Sequence, residues 1–317
     1  MQRRTFLHCC ATLGLASLAP LGTLPLVGTQ PAFKLKYAPH PGMFKNKGGE
    51  DYLDQINFAA DQGFTAWEDN RVGEQSVEMQ TKIGQELTKL GMTMGVFVAY
   101  GSIDKPVFVR KNEDVWATIL KQLTDSVDIA KRVGAKWVTV VPGSVDQQHV
   151  DDPKWNKGGG PRLADGFQFA NVVELLRRAS EILEAFELTM VLEPLNWHAN
   201  HGGAYLRYSD QAYAICKAVN SPSCKILYDI YHQQISEGNL IANIDACWDE
   251  IAYFQSGDNP GRKEPGTGEI NYRNIFQHLH DKGYDGVIGM EHGNAGKGAE
   301  GEQAVITAYR AVDVIGN

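Results

Sequence analysis

The stretch T-M-V-L-E-P-L-N, residues 189–196, joins a short apolar run to a carboxylate at Glu193. Three later stretches repeat this plan: K-I-L-Y-D ends at Asp229, I-A-Y-F-Q at Gln255 and V-I-G-M-E at Glu291. The gaps between the four polar residues are 36, 26 and 36 positions, about the length of one strand-helix-strand step. Oxygen-donor side chains at the same ends of successive parallel strands converge on one point. The four stretches therefore predict parallel strands with a shared polar site at their carboxyl ends.

The same alternation of short apolar runs and helical segments extends through most of the chain. The predicted strands end near residues 38, 68, 99, 142, 193, 229, 257 and 291. The predicted helices span residues 52–62, 77–90, 114–133, 167–186, 209–219, 240–248, 272–281 and 302–314. Eight units, with no G-x-G-x-x-G after the first strand, favour a closed (β/α)8 TIM barrel over an open doubly wound sheet. We expect one α/β barrel domain over residues 31–317.

The first 30 residues differ from the rest. M-Q-R-R-T-F-L at residues 1–7 precedes an apolar stretch that runs to about Val27 and is broken at Gly14 and Pro20. A pair of arginines before such a segment is typical of a twin-arginine export signal. A membrane-spanning helix would need about 20 consecutive apolar residues, so an uncleaved anchor helix is the weaker alternative. We expect residues 1–30 to be removed and the protein to act in the periplasm or outside the cell.

Charge and cysteine content limit the partners. The formal net charge is −8, which disfavours a general nucleic-acid or anionic-membrane surface. Cys216, Cys224 and Cys247 follow the signal at irregular spacing, which matches neither a disulfide framework nor a zinc motif. We therefore expect a small-molecule substrate, no nucleic-acid partner and no stable membrane insertion of the mature chain. A homo-oligomer is compatible with these features.

The residues around the four polar positions resemble a known family. E-P-L-N at 193–196, Q-S-G-D-N-P-G-R-K-E-P-G-T-G-E-I-N-Y at 255–272 and G-M-E-H at 289–292 are similar to the hydroxypyruvate isomerase branch of the xylose isomerase-like barrels. That superfamily also contains ketose 3-epimerases and endonuclease IV-type repair enzymes. The last activity fits this acidic chain poorly, because it needs a multi-histidine zinc cluster and a basic groove.

The resemblance implies roles for individual residues. Glu193, Asp229, Gln255 and Glu291 would bind one divalent cation, and the two glutamates would also move the substrate proton. His232 and Arg262 would contact substrate oxygens.

Two further residues are candidate substrate contacts. Asn196 belongs to the E-P-L-N motif, and Glu68 ends the second predicted strand. Three of the four candidate substrate contacts have a structural alternative: a helix cap for Glu68, a hydrogen-bonded rim histidine for His232 and a surface ion pair for Arg262.

The donor set also makes chemical sense without the resemblance. Three carboxylates and one carboxamide are hard oxygen ligands, which favour Mn²⁺ or Mg²⁺, with Zn²⁺ or Co²⁺ as alternatives. Two carboxylates beside such a cation can serve as acid and base for a proton next to a carbonyl. We expect an isomerase or epimerase of a small hydroxy-carbonyl compound or sugar that works through an enediolate. The alternatives are a lyase that opens 3-oxo-glycosides by β-elimination and a non-catalytic sugar-binding barrel.

Overall fold

Parallel β-strands form the centre of the structure, a computed structural model that describes residues 30–146 and 162–314. In chain order the strands are β1 (Lys36–Ala38), β2 (Ala66–Trp67), β3 (Thr93–Met94), β4 (Val98–Ser102), β5 (Trp137–Pro142), β6 (Thr189–Leu192), β7 (Cys224–Asp229), β8 (Ile251–Gln255) and β9 (Val287–Gly289). Seven of them pair in the order β1-β9-β8-β7-β6-β5-β4, and β2 pairs with β3. All of these pairings are parallel.

Backbone hydrogen bonds join the two sheets into a ring. The amide of Glu68 donates to the carbonyl of Pro39 over 3.0 Å, which links β2 to the end of β1. On the other side, the amide of Val98 in β4 donates to the carbonyl of Asn70, just beyond β2, over 3.1 Å. The third predicted strand is divided into β3 and β4, so nine segments occupy eight strand positions. The predicted (β/α)8 barrel is confirmed.

Helices cover the outside of the ring. They are α1 (Lys45–Gly48), α2 (Tyr52–Asp61), α3 (Val77–Leu90), α4 (Glu113–Val133), α5 (Asp165–Glu184), α6 (Ser209–Val219), α7 (Ile230–Ser236), α8 (Leu240–Cys247), α9 (Tyr272–Asp281) and α10 (Gly298–Val312). The predictions for α3, α6 and α9 match at both ends, and the other predicted helices differ by up to four residues at an end. Left-handed glycines end α3 and α4, at Gly91 (φ 67°) and Gly134 (φ 74°), where a side chain would be strained.

Two helices, α1 and α7, were not predicted. Helix α7 follows β7 without a loop, because Asp229 both ends the strand and caps the helix. Its Oδ1 accepts hydrogen bonds from the amides of Tyr231 (2.8 Å) and His232 (3.3 Å). Such a cap contributes about 1 kcal/mol to a helix. It also fixes His232 one turn beyond Asp229.

Two apolar layers hold the barrel together. The inner one fills the ring and takes residues from nearly every strand position: Ala38, Ala66, Val96, Val191, Leu227, Tyr253 and Val287. The outer one lies between strands and helices and includes the fully buried Trp67 and Trp116. Burial of each large apolar side chain contributes about 1.5–3 kcal/mol, so these layers fix the strand ends on which the polar residues stand.

Other sequence-based expectations concern the cysteines and the membrane. Cys216, Cys224 and Cys247 are buried, and none of them forms a disulfide with another cysteine among the described residues. Within residues 30–146 and 162–314, no helix has the length and apolarity required to cross a bilayer. The predicted export signal, apart from its last residue, lies outside the described residues.

Candidate functional site

The four predicted oxygen donors stand at one rim of the barrel. Glu193 directly follows β6, Asp229 and Gln255 end β7 and β8, and Glu291 lies two residues beyond β9. The register of β7 and β8 places Asp229 beside Gln255. Glu193, Asp229 and Gln255 are buried, whereas the Glu291 side chain is 27% exposed. The carboxyl ends of parallel strands thus bring these residues to one place, as their spacing predicted.

Arg262 connects two of the carboxylates. Its Nη2 lies 2.9 Å from Asp229 Oδ2 and 2.5 Å from Glu291 Oε2. The guanidinium also stands 4.9 Å from the ring centroid of Tyr231, in cation–π geometry. One positively charged nitrogen therefore lies between two carboxylates. This is the compensation that buried negative charges require.

Gln255 is oriented by Glu68. Gln255 Nε2 donates to Glu68 Oε1 over 2.9 Å, and Tyr253 Oη donates to Glu68 Oε2 over 2.6 Å. The opposite end of the amide, Gln255 Oε1, is buried and has no hydrogen-bond partner among residues 30–146 and 162–314. A buried acceptor left unpaired costs about 1–3 kcal/mol, so this oxygen is poised for a ligand. Glu68, which is only 2% exposed, lies beneath the site and supports Gln255.

His232 lies against the other side of the carboxylates. Its Nε2 is 3.7 Å from Glu193 Oε1 and 3.5 Å from Asp229 Oδ2. One potential ligand atom from each of Glu193, Asp229 and His232 falls within 4.8 Å of the other two, a spacing that could hold a metal ion. Asn196 lies on the other side of the His232 imidazole and is completely buried. Its Nδ2 is 2.6 Å from His232 Nδ1.

Burial and mutual repulsion shift the proton affinities of the glutamates. Burial, with repulsion from Glu291 and Asp229, raises the pKa of Glu193 well above its ordinary value. Burial also raises the pKa of Glu291 to about 7, although the Arg262 charge opposes this shift. For Glu68, burial and the Glu291 charge raise the pKa to about 8. Without a further cation, the cluster therefore retains protons near neutral pH.

The arrangement fits a divalent cation. Glu193, Asp229 and Glu291 supply carboxylate oxygens, and Gln255 Oε1 is a buried acceptor without a partner in the part of the chain that the structure describes. Hard oxygen donors of this kind suit Mn²⁺ or Mg²⁺. A cation there would satisfy the amide oxygen and favour ionised glutamates.

Two residues at the site were missed by the sequence prediction. Tyr253 supports Glu68, and Asn70 Nδ2 donates to Glu291 Oε1 over 3.0 Å. Tyr253 carries a recognisable signal, because a residue two positions before Gln255 points to the same side of a strand. Asn70 carries none, since its contact depends on ring closure, which brings the segment after β2 close to the segment after β9 on the other side of β1.

A cavity opens beside this cluster. Its volume is about 550 Å³, within the range of small-molecule sites. Glu68 and Glu291 lie at its inner side, and His40, Tyr52 and Arg71 are among the residues that line the remainder. A small polar molecule could thus reach Glu291 from the rim.

Comparison with known proteins assigns the chain to a protein family. The family described as xylose isomerase-like TIM barrel matches residues 56–310, more than half of the chain. The protein therefore belongs to the xylose isomerase-like TIM barrel family, and its relatives support the hydroxypyruvate isomerase-like branch.

Individual relatives match different shares of the chain. Hydroxypyruvate isomerase of Escherichia coli (strain K12) is 39% identical over 123 residues, which are 39% of this chain and 47% of that protein. A putative hydroxypyruvate isomerase of Homo sapiens is 33% identical over 187 residues, 58% of this chain and 64% of that protein. Less than two thirds of either relative is therefore matched. Among solved structures, 3-keto-D-glucoside 4-epimerase of E. coli superposes with a TM-score of 0.68 at 20% identity, over 88% of this chain and 99% of that chain. This last likeness shows the shared fold.

Proposed function

We propose that the protein is an isomerase or epimerase of a small hydroxy-carbonyl compound or sugar that depends on one divalent cation and works through an enediolate. The observation that carries this proposal is the convergence of two glutamates, one aspartate and one amide oxygen at the same rim. The names of the curated relatives support the reaction class. A non-catalytic sugar-binding barrel has no evident use for two carboxylates with raised pKa values at one site.

Glu193 and Glu291 are the proposed acid and base. They follow β6 and β9, on different sides of Asp229, and differ in exposure. One glutamate takes the proton from the carbon beside the carbonyl, and the other returns a proton to the neighbouring carbon or the opposite face. The direction of the reaction decides which acts first. Asn70 holds Glu291 in place through the hydrogen bond to Oε1.

The remaining residues bind and orient. Glu193, Asp229, Gln255 and Glu291 would hold the cation, which when bound stabilises negative charge on substrate oxygens as a Lewis acid, an effect of several kcal/mol. Arg262 and His232 face the same carboxylates and offer N–H donors to substrate oxygens. Glu68 and Tyr253 lie below Gln255 and keep its amide oriented.

The proposed location is the periplasm, after export by the twin-arginine route. An exported enzyme meets extracytoplasmic compounds, so a free or oxidised sugar is the proposed substrate class. Replacement of Arg3 and Arg4 by lysine should retain the protein in the cytoplasm, as measured by fractionation. Unchanged export of this variant would contradict the location.

Proton exchange tests the chemistry directly. The Mn²⁺-loaded protein, incubated with candidate sugars in deuterated water, should incorporate deuterium at the carbon next to the carbonyl. Glu193→Gln and Glu291→Gln should each abolish the exchange, whereas Glu181→Gln, on the exposed surface of α5, should leave it unchanged. Unaltered exchange in both site variants would refute the assigned roles. Release of the aglycone from a 3-oxo-glucoside would instead identify the eliminating lyase.

A further inference from the structure

The side-chain amide of Asn196 has one orientation that suits its neighbours. The backbone amides of Ala199 and Asn200 donate to Asn196 Oδ1 over 2.9 and 3.3 Å. Backbone N–H groups only donate, so the atom that they face must be the carbonyl oxygen. The NH₂ group therefore points the other way, where Nδ2 lies 2.6 Å from His232 Nδ1 and 3.0 Å from Asn200 Oδ1.

Two donors consequently meet at one nitrogen of His232. Besides Asn196 Nδ2, the Asn196 backbone amide lies 3.3 Å from Nδ1 and donates to it. A proton on Nδ1 would oppose both N–H groups inside a fully buried contact, so Nδ1 must present its lone pair. A neutral imidazole with a bare Nδ1 carries its proton on Nε2. Nε2 is the atom that faces Glu193 Oε1 and Asp229 Oδ2.

We propose that Asn196 is a positioning residue that locks His232 in the Nε2–H tautomer. His232 then offers an N–H donor to a substrate oxygen and has no lone pair available for a cation, although the spacing of Glu193, Asp229 and His232 would allow one. Asn196 is completely buried and acts through His232 without touching the substrate. The part of this inference that concerns the substrate rests on the proposed function; the tautomer itself does not.

Neighbouring contacts keep this arrangement rigid. Asn200 Oδ1 accepts from Tyr231 Oη over 3.1 Å as well as from Asn196. The loop after β6 is thereby joined to α7, the helix that carries His232. The His201 ring packs on His232 with 5.3 Å between centroids. A donor held this firmly is suited to negative charge that develops on an oxygen, and loss of one such donor lowers kcat by about 100-fold or more.

Nitrogen NMR of the full chain labelled with ¹⁵N-histidine provides the test. His232, assigned by comparison with His232→Gln, should show a protonated Nε2 and an unprotonated Nδ1 with or without the diamagnetic Mg²⁺. Asn196→Asp preserves the shape but places a carboxylate at Nδ1, so the proton should move to Nδ1. A wild-type proton on Nδ1, or an unchanged tautomer in the variant, would overturn the proposal. Should the variant not fold, the wild-type spectrum alone still decides.

Activity provides a second measurement. Asn196→Asp should still bind one Mn²⁺ per chain, while kcat falls about 100-fold and KM changes less. A variant with normal kcat and a reversed tautomer would refute the catalytic part. If the wild-type protein shows the expected tautomer but no proton exchange with any sugar, the proposed function fails while the role of Asn196 stands.

Discussion

Replacement of Glu68 by glutamine should make the metal-free protein less sensitive to alkaline pH. Glu68 is buried against Gln255 and Tyr253, and glutamine preserves its size and its ability to accept from Gln255. The pKa of Glu68 is raised from 4.5 to about 8 in the folded protein. The folded state therefore holds this proton more tightly than the unfolded state. Stability due to the bound proton is complete below pH 4.5 and is lost as pH rises through 8.

The size of the effect follows from the two pKa values. One pKa unit corresponds to about 1.36 kcal/mol. Between pH 6.5 and 8, loss of the Glu68 proton should lower the free energy of unfolding by about 1.6 kcal/mol, and Glu68→Gln should be spared this loss. The buried His232 and His292 have lowered pKa values, so their linkage to stability lies below pH 6.5. Glu193 and Glu291, whose pKa values are also raised, contribute to the pH dependence of stability in both proteins.

Urea unfolding followed by tryptophan fluorescence, in the presence of a chelator, would measure this difference at four pH values from 6.5 to 8. The wild-type free energy should fall more steeply than that of Glu68→Gln. Glu74→Gln is the matched control, because an ion pair with Arg71 lowers the pKa of this exposed carboxyl and keeps it out of the window. Equal slopes in wild type and Glu68→Gln would refute the assignment of a buried proton to Glu68.

Three further variants test the support of the site. In Gly289→Ala the new Cβ would lie 2.0 Å from Glu68 Oε2, so the free energy of unfolding measured in urea titrations should fall by about 2–3 kcal/mol. Gly166→Ala is the control, because its Cβ would meet open space and the free energy of unfolding should not fall. Gln255→Leu removes the buried Oε1, which has no hydrogen-bond partner within the described ranges, and should weaken Mn²⁺ binding at least tenfold by calorimetry. Equal affinity would exclude Gln255 as a ligand. Arg262→Met removes the positive charge beside Glu291, so the pKa of Glu291 should rise above about 7. Carboxyl ¹³C NMR titrations of chelator-treated protein would measure it, and an unchanged or lower pKa would contradict the contact between Arg262 and Glu291.

The barrel could be predicted from sequence because its strands are short apolar runs and most helices are long enough to show a periodic apolar face. The seven residues of α7 are too few for such a pattern, and the helix starts from a cap that also ends a strand. The break between β3 and β4 was missed because it depends on a tertiary contact: Gly95 passes so close to Tyr253 Oη that a Cβ would lie 2.3 Å from it.

The candidate site, like the fold, could be predicted only in part from the sequence. Spacing along the chain was enough to select Glu193, Asp229, Gln255 and Glu291, since strand ends in a parallel barrel share one rim. The contacts below and behind that rim were not predictable. The hydrogen bond from Gln255 to Glu68 spans 187 positions, and the bond from Asn70 to Glu291 spans 221. Such pairs depend on ring closure, which no local pattern records.

The double use of Asp229 limits how the site can change. Its Oδ1 is committed to the first turn of α7, which leaves Oδ2 as the oxygen that faces Arg262 and the site. A longer acid at this position would displace either the helix start or the inward oxygen, and His232 would move with the helix. A substitution at Asp229 therefore changes the start of α7 and the geometry of the candidate site together.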